Sequence, residues 1–370
     1  MDVLCSRTIE AMGEALICPP NATRVNGAGF KLVPGFIDAH THGGGGVDVN
    51  AADEEGLKRI AAFFSSQGTT AWNASVLTDT EEATLRCIEV INKVCDKTGY
   101  GAQLLGVHME GPFLNPQYKG AMPEHLLRKG DMAFLQRCID AAGENLRYLT
   151  VSPEIPNVLS LIETYADKIA IAIGHSAATY DEAMEAFHHG ARCTTHTFNG
   201  MRLFHQHEPA IMGAALESDC WCEAICDGRH LHPGTVRMLL KCKGWDKVIA
   251  VTDSIMAAGL PDGNYKLGIN DIVVIHGDAQ LAHGNSRAGS TLTMIQALRN
   301  IMTFTGEPLE KVLPLLTENV AKALRLNQRK GRIAIGMDAD LVLLNSQLEV
   351  CKTIVGGQIV YSASERTPSN

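Results

Sequence analysis

Residues 34–42 read PGFIDAHTH, an apolar, strand-like run that ends in two histidines separated by one residue. Alternate residues of a β-strand project to the same side, so His40 and His42 can bind one cation through their imidazole nitrogens. Glycines follow at 43–46, and residues without a Cβ let the backbone pass close to such a site. This segment predicts the first strand of a barrel, with a metal site where the strand ends.

Short, apolar runs rich in β-branched residues alternate along the chain with longer segments of helical periodicity. Eight such runs occur, at 32–40, 68–76, 104–110, 146–153, 169–175, 191–196, 221–226 and 248–253. Helices are predicted between them at 54–67, 80–97, 131–142, 157–167 and 180–190. Strands that alternate with helices form parallel sheets, so the predicted fold is α/β, a (β/α)8 TIM-like barrel.

The two ends of the chain have a different sequence pattern from its middle. Residues 331–360 carry glycines at 331, 336, 356 and 357 between strand-like runs, and residues 1–33 are similarly short-stranded. We therefore predict that 1–33 and 331–370 form one small β-sandwich domain beside a barrel of residues 34–330. A hairpin insertion is predicted near 264–290, after the eighth barrel strand, with its strand-like residues at 271–281.

Further metal-ligand side chains stand at the ends of other predicted strands. Residues 107–113 read VHMEGPF, in which Glu110 ends a strand and the following Gly-Pro turns the chain away. Residues 173–176 read IGHS and residues 195–201 read THTFNGM, so His175 and His196 end consecutive strands. Residues 251–254 read VTDS and place Asp253 at the end of the eighth run.

The carboxyl ends of barrel strands lie at one mouth, so these side chains are expected to meet there. Each one alone can be a buried core histidine or an exposed acid, but their repeated placement favours a metal centre. The predicted ligands are His40, His42, Glu110, His175, His196 and Asp253. A carboxylate beside a hydrolytic metal can take a proton from water and return it to a leaving group, so Asp253 is also the predicted base and acid.

Composition limits the classes of partner. The chain of 370 residues carries a formal net charge of -9, which argues against a nucleic-acid partner. The overall charge would not attract an anionic small substrate either, so binding of such a substrate would depend on hydrogen-bond donors within the site. No apolar run approaches the ~18 residues of a membrane span, and residues 1–20 lack the pattern of a signal peptide. We expect a cytoplasmic protein without a membrane or nucleic-acid partner.

Several fragments, in their order and approximate spacing, carry a family resemblance: PGFIDAHTHG, HMEGPFLN, KGA, IGHSAAT, THTFNGM, DGRHLHP, VTDS, AGSTLTM and GRIAIGMDADLV. Over nearly its whole length the sequence resembles the amidohydrolase superfamily and, within it, the N-acetylglucosamine-6-phosphate deacetylases. The resemblance implies that Glu110, His175 and His196 hold the main metal. It also implies that the intact pair of His40 and His42 allows a second metal beside it.

The reaction that the resemblance implies is hydrolysis of the acetamide of N-acetylglucosamine 6-phosphate, which gives glucosamine 6-phosphate and acetate. Asp253 would be the catalytic acid and base, and His230 would polarise the acetyl carbonyl. The same resemblance assigns substrate contacts to Ala121, Met122, Asn199, Gly200, His207, Asp227, Gly228, Arg229, His230, Arg287, Ala288 and Gly289.

Three of these positions depart from the family pattern. Many relatives have a histidine at the position of Met122, an arginine that binds the sugar phosphate at His207, and an apolar residue at Arg287. A histidine holds phosphate more weakly than a guanidinium fork does. Arg287 is therefore a candidate for the missing charge, and Arg202 and Arg229 are further candidates.

Imidazole and carboxylate ligands suit one or two divalent metal ions per subunit. Zinc is the expected metal, and iron, manganese and cobalt also accept such ligands. Relatives are homodimers, so the resemblance implies a homodimer. Three alternative functions stay open: a deacetylase of N-acetylgalactosamine 6-phosphate or of an unphosphorylated N-acetyl sugar, a cyclic-amide hydrolase, and a barrel kept as a binding module. Cyclic-amide hydrolases bridge their metals with a lysine at the end of strand four, where residues 150–154 here read TVSPE.

Overall fold

A computed structural model describes residues 1–95, 97–283 and 286–363 of the chain. Position 96 of the predicted helix 80–97, positions 284–285 of the predicted insertion and positions 364–370 of the predicted β domain lie outside the described residues. Within the described part, no helix is both long enough and apolar enough to cross a membrane.

Eight parallel strands form the main sheet and follow one another in it in chain order. Their bounds are Phe36–Thr41, Thr69–Leu77, Gln103–Glu110, Leu146–Val151, Ala170–Ile173, Cys193–Thr194, Trp221–Ala224 and Val248–Ala250. The two outer strands approach each other, because the backbone N–H of Asp253 donates to the carbonyl of His40 at 2.9 Å. The Thr252 hydroxyl also donates to the buried Asp38 carboxylate at 2.6 Å. The predicted TIM-like barrel is confirmed.

Seven helices connect the barrel strands, and three more follow the eighth strand within the described residues. They span Glu54–Ser66, Glu81–Val94, Met132–Ala142, Val158–Tyr165, Tyr180–His188, Ala210–Glu217, Pro233–Lys243, Met294–Thr305, Leu309–Val312 and Glu318–Ala323. In the first helix, the side chain of Asp53 caps the N–H of Gly56, and Leu57, Ile60 and Phe64 are buried at helical spacing. Each such side chain contributes about 1.5–3 kcal/mol when fully buried.

The termini build a second, antiparallel unit. One sheet contains Lys31–Pro34, Leu341–Leu344, Val350–Val355 and Gln358–Ser362, and a hairpin pairs Asp2–Cys5 with Ile9–Gly13. Its small core includes Ile9, Leu341 and Ile354. The separate β unit made from both termini is confirmed, whereas the exact domain boundaries stay predictions.

The predicted first run, 32–40, is two strands rather than one. Lys31–Pro34 belongs to the small sheet and Phe36–Thr41 belongs to the barrel. The chain passes from one to the other at Gly35, where an added Cβ would lie 2.0 Å from the Thr70 hydroxyl oxygen. The close approach of the second barrel strand therefore requires a glycine at the junction.

The insertion after the eighth strand has three antiparallel strands, Gly263–Leu267, Asn270–Ile275 and Asp278–Leu281. The predicted hairpin corresponds to the second and third of them. Leu267, Ile272 and Val274 are buried in one cluster with Leu77 and Met122. This contact holds the three-stranded insertion over the mouth of the barrel.

Candidate metal centre

The six predicted ligands all stand at or just beyond the carboxyl ends of barrel strands. His175, His196 and Asp253 follow their strands by two or three residues and have positive φ angles of 48°, 29° and 48°. Residues other than glycine rarely adopt this left-handed conformation, and such strain is concentrated at functional sites. Here the left-handed conformation turns the chain after the fifth, sixth and eighth barrel strands so that these three side chains enter one mouth.

Glu110, His175 and His196 form the first ligand group. The Oε1 atom of Glu110 lies 3.0 Å from Nε2 of His175 and 3.2 Å from Nε2 of His196. The two Nε2 atoms lie 3.0 Å apart. All three side chains are largely buried, and one carboxylate and two imidazoles converge on one point.

His40, His42 and the same Glu110 form a second group. Nε2 of His42 lies 3.1 Å from Oε2 of Glu110, and Nε2 of His40 lies 3.2 Å from Nε2 of His42. Oε1 of Glu110 also lies 3.5 Å from Nε2 of His40, so this one carboxylate belongs to both ligand groups. Asp253 completes the cluster, with Oδ1 at 3.2 Å from Nε2 of His42 and 3.5 Å from Nε2 of His40.

The hydrogen bonds made by Nδ1 of two of these histidines indicate that their Nε2 atoms, which face the cluster, can bind a cation. Nδ1 of His175 lies 2.7 Å from the carbonyl oxygen of Tyr118, and Nδ1 of His42 lies 3.0 Å from that of Ser75. A carbonyl only accepts, so Nδ1 carries the hydrogen and the Nε2 lone pair of the neutral ring faces the centre. Imidazole and carboxylate donors in this number fit a divalent metal ion.

The charges of the cluster also favour a cation. Burial opposes ionisation of Glu110, but His40, His175 and His196 outweigh it and hold the pKa of the carboxyl well below its usual range. Burial likewise opposes protonation of His42, yet hydrogen bonds to Asp253 and Glu110 raise its pKa to about 9. Positive charge is therefore stabilised where the two ligand groups meet, and a divalent ion supplies that charge in place of protons.

A pocket of about 500 Å³ opens above the cluster, and His42, Glu110, His175, His196 and Asp253 line its floor. Eight of the predicted substrate contacts line its walls: Ala121, Met122, Asn199, Gly200, His230, Arg287, Ala288 and Gly289. Gly200 has a φ of 58°, and an added Cβ would lie 3.1 Å from Nδ1 of His175. The remaining predicted contacts, within the described residues, are not part of the pocket lining: His207, Asp227, Gly228 and Arg229.

Asp227 instead orients His230. Its Oδ2 atom lies 2.7 Å from Nδ1 of His230, and its Oδ1 atom accepts the backbone N–H groups of Arg229 and His230. The carboxylate therefore fixes the ring of the pocket histidine by accepting at Nδ1. Because Nδ1 of His230 is occupied by Asp227, Nε2 is the ring nitrogen available to a ligand in the pocket.

The three predicted arginine candidates differ in position. Arg287 lines the pocket and forms two hydrogen bonds with Asp278, at 2.9 and 3.2 Å. Arg202 pairs with Glu208, and Arg229 donates to the carbonyl of His276. Among the arginines of the described chain, Arg287 is thus the one that lines the pocket.

The model of the amidohydrolase family matches residues 32–360, which is most of the chain. The chain belongs to the amidohydrolase family. A curated N-acetylglucosamine-6-phosphate deacetylase of Lysinibacillus sphaericus is 35% identical over 91% of this chain and 87% of its own. A curated N-acetylgalactosamine-6-phosphate deacetylase of Escherichia coli O157:H7 is 33% identical over 89% of this chain and 87% of its own.

Solved structures show the same relationship. A mutant N-acetyl-D-glucosamine-6-phosphate deacetylase of Mycobacterium smegmatis, in complex with N-acetyl-D-glucosamine-6-phosphate, superposes with a TM-score of 0.89. It shares 33% identity with this amidohydrolase and covers 97% of this chain and 94% of its own. The resemblance predicted from the sequence fragments is confirmed.

Glu223 is an ionisable residue beside the candidate metal centre of this amidohydrolase that the sequence motifs did not indicate. It lies in the strand Trp221–Ala224, is fully buried and contacts both His40 and the backbone of His196. A signal was available, because a glutamate inside an apolar strand is rarely left without partners. His108 was also not assigned; its ring lies between Ser75 and Thr150 at 2.8 and 2.9 Å.

Proposed function

We propose that this amidohydrolase removes the acetyl group of N-acetylglucosamine 6-phosphate, giving glucosamine 6-phosphate and acetate. The observation that carries the proposal is the position of Asp253, on the pocket floor and 3.2 Å from His42. A proton-transfer group then stands beside the ligands of a hydrolytic cation, with room for a sugar above them. The curated relatives with this activity support the choice of substrate.

The ligands in this proposal are Glu110, His175 and His196 for the main ion, with His40 and His42 available for a second. Zinc is the proposed metal, because it accepts imidazole and carboxylate ligands and keeps an open position in catalytic sites. When bound, such an ion polarises the amide carbonyl and lowers the pKa of a water towards ~7.

The side chains of the protein perform the proton transfers. Asp253 takes a proton from the attacking water and passes it to the sugar nitrogen as the C–N bond breaks. Neighbouring charges support the first role: burial opposes ionisation of Asp253, but His40 and His42 outweigh it and lower its pKa. His230, held at Nδ1 by Asp227, can donate from Nε2 to the developing oxyanion when the ring is protonated.

Arg287 is the proposed ligand of the 6-phosphate. Its ion pair with Asp278 is partly exposed, and pairs of this kind contribute only about 0–1 kcal/mol. A phosphate can therefore compete for the guanidinium at little cost, and a guanidinium binds phosphate through two parallel hydrogen bonds. His207 is exposed and lies outside the pocket lining of the described chain, so it is not assigned this role here.

The second candidate substrate is N-acetylgalactosamine 6-phosphate, which the relative from Escherichia coli O157:H7 favours. A cyclic-amide hydrolase is disfavoured, because the fourth strand ends at Val151 without a lysine and Glu110 belongs to both ligand groups. Rates should be compared on the gluco and galacto epimers, each with and without phosphate, with metal content measured on the same sample. No turnover of any of the four by metal-loaded protein would reject the proposal and favour a binding module.

We also propose a homodimer that works in the cytoplasm, as the family resemblance implies. Leu203 and Phe204 support a second copy, since they are 75% and 56% exposed in the loop that follows the pocket residue Gly200. Light scattering of the native protein should give twice the mass of one chain. The double variant Leu203→Asp, Phe204→Asp should give the mass of a single chain. A monomeric native protein would reject the dimer.

A further inference from the structure

Glu223 is a buried carboxylate in the seventh barrel strand, whose side chain has no exposed surface. Burial of such a group is costly unless donors surround it. Three donors do: Nδ1 of His40 lies 3.0 Å from Oε2, the backbone N–H of His196 donates to Oε2 at 2.8 Å, and the Tyr148 hydroxyl donates to Oε1 at 2.7 Å. Its hydrogen bonds thus reach the first, fourth and sixth strands.

The contact with His40 decides which ring nitrogen can bind a cation. A neutral imidazole carries one N–H, and the Glu223 oxygen retains it on Nδ1. The Nε2 lone pair then faces His42 Nε2 at 3.2 Å and Glu110 Oε1 at 3.5 Å. Without an acceptor at Nδ1, the hydrogen can move to Nε2 and block the position between His40 and His42.

The contact with His196 acts on the other ligand group. The backbone of His196 has a φ of 29°, a conformation that costs free energy unless its neighbours hold it. In the described chain the buried Nδ1 of this residue has no hydrogen-bond partner among the protein atoms. The hydrogen bond to Glu223 anchors the backbone from which the ring reaches Glu110.

We propose that Glu223 is a positioning residue that orients His40 for a second cation and holds His196 for the first. This rests on the proposed function only in assuming that the centre binds metal. Glu223 touches neither the pocket nor the reacting atoms, so it acts through the two histidines.

Two single substitutions separate positioning from charge. Glu223→Gln loses the charge but keeps an oxygen at full reach for His40 and His196, while its amide group can face Tyr148. Glu223→Asp keeps the charge but is one methylene shorter and withdraws the oxygen. Tyr148→Phe is the matched control, because it removes a donor to the same carboxylate and leaves both histidine contacts in place.

The readout is metal binding by the intact chain of 370 residues. Metal-free protein is titrated with Co²⁺ and followed by visible absorption, and the ions retained per chain are counted by elemental analysis. We expect two ions for the native protein, for Tyr148→Phe and for Glu223→Gln. In Glu223→Asp the oxygen is withdrawn from His40 and from the backbone N–H of His196 alike, so both ions should bind more weakly, the second by 10–100-fold, the usual effect of losing such a partner.

Each other result has a defined meaning. If Glu223→Asp binds both ions as tightly as the native protein, or if Glu223→Gln is the weaker variant, the positioning role is wrong. A native protein that binds only one ion also overturns it. Thermal unfolding of the metal-free variants identifies a purely structural role, in which all of them lose stability without a change in ion count. Failure of native protein to deacetylate the sugar phosphate, with metal binding as expected, would reject the proposed substrate alone.

Discussion

The carboxylate of Asp253 and the imidazole of His42 lie 3.2 Å apart, from Oδ1 to Nε2, although they come from opposite ends of the barrel sequence. The backbone brings them together, since the N–H of Asp253 donates to the carbonyl of His40 at 2.9 Å. Closure of the barrel therefore fixes the proton-transfer group relative to the metal ligands. A short displacement of either strand would separate the proton acceptor from the water that it must activate.

Asp253→Asn should abolish most catalysis without loss of the main ion. The amide is nearly the same size but is a far weaker base, so we expect kcat to fall by about 10²–10⁴. Steady-state kinetics and metal content of the purified variant test this together. Near-normal turnover would remove Asp253 from the acid and base role, and loss of the ion would assign it to binding instead.

Glu110→Gln should affect metal content more than His42→Asn does. Glu110 contributes an oxygen to both ligand groups, whereas His42 belongs to one of them. We expect Glu110→Gln to lose both ions on dialysis and His42→Asn to retain the ion held by His175 and His196. Equal ion counts in the two variants would contradict a shared carboxylate.

Asp227→Asn should lower kcat with little change in bound metal. The carboxylate orients His230 through Nδ1 at 2.7 Å, and an amide that turns its nitrogen to the ring would lose that bond. Loss of one oxyanion donor typically costs about 10²–10³ in kcat, so His230→Asn should reach that range and Asp227→Asn should fall short of it. If Asp227→Asn is fully active, the histidine does not depend on this partner.

Arg287→Gln should raise KM for phosphorylated substrates and leave KM for the unphosphorylated sugar unchanged. Arg287 is the arginine that lines the pocket of the described chain, and its guanidinium forms an ion pair with Asp278. Asp278→Asn is the matched control, because it frees the guanidinium and should lower KM for the phosphorylated sugar. Equal KM changes on both kinds of substrate would show that Arg287 shapes the pocket rather than binding phosphate.

The barrel and most residues of the candidate metal centre could be predicted from the sequence alone. Apolar runs at regular intervals are a local property, and a strand that ends in His40, Glu110 or His175 places that residue at the mouth whatever the rest of the chain does. Asp253 was predicted in the same way, and the glycines that line the pocket lie in the quoted fragments. Local periodicity and turn residues contain this information because each depends on a few neighbours in the chain.

Tertiary structure decided what pairs across the barrel. Barrel closure brings Glu223 to His40, and the packing of the loops and of the second sheet keeps His207 away from the pocket lining of the described residues and divides the run 32–40 between two sheets. No pattern within a short window specifies these contacts, because their partners come from different strands and loops. Hydrogen bonds and ion pairs depend on distances of about 3 Å, and those distances exist only after the strands have packed.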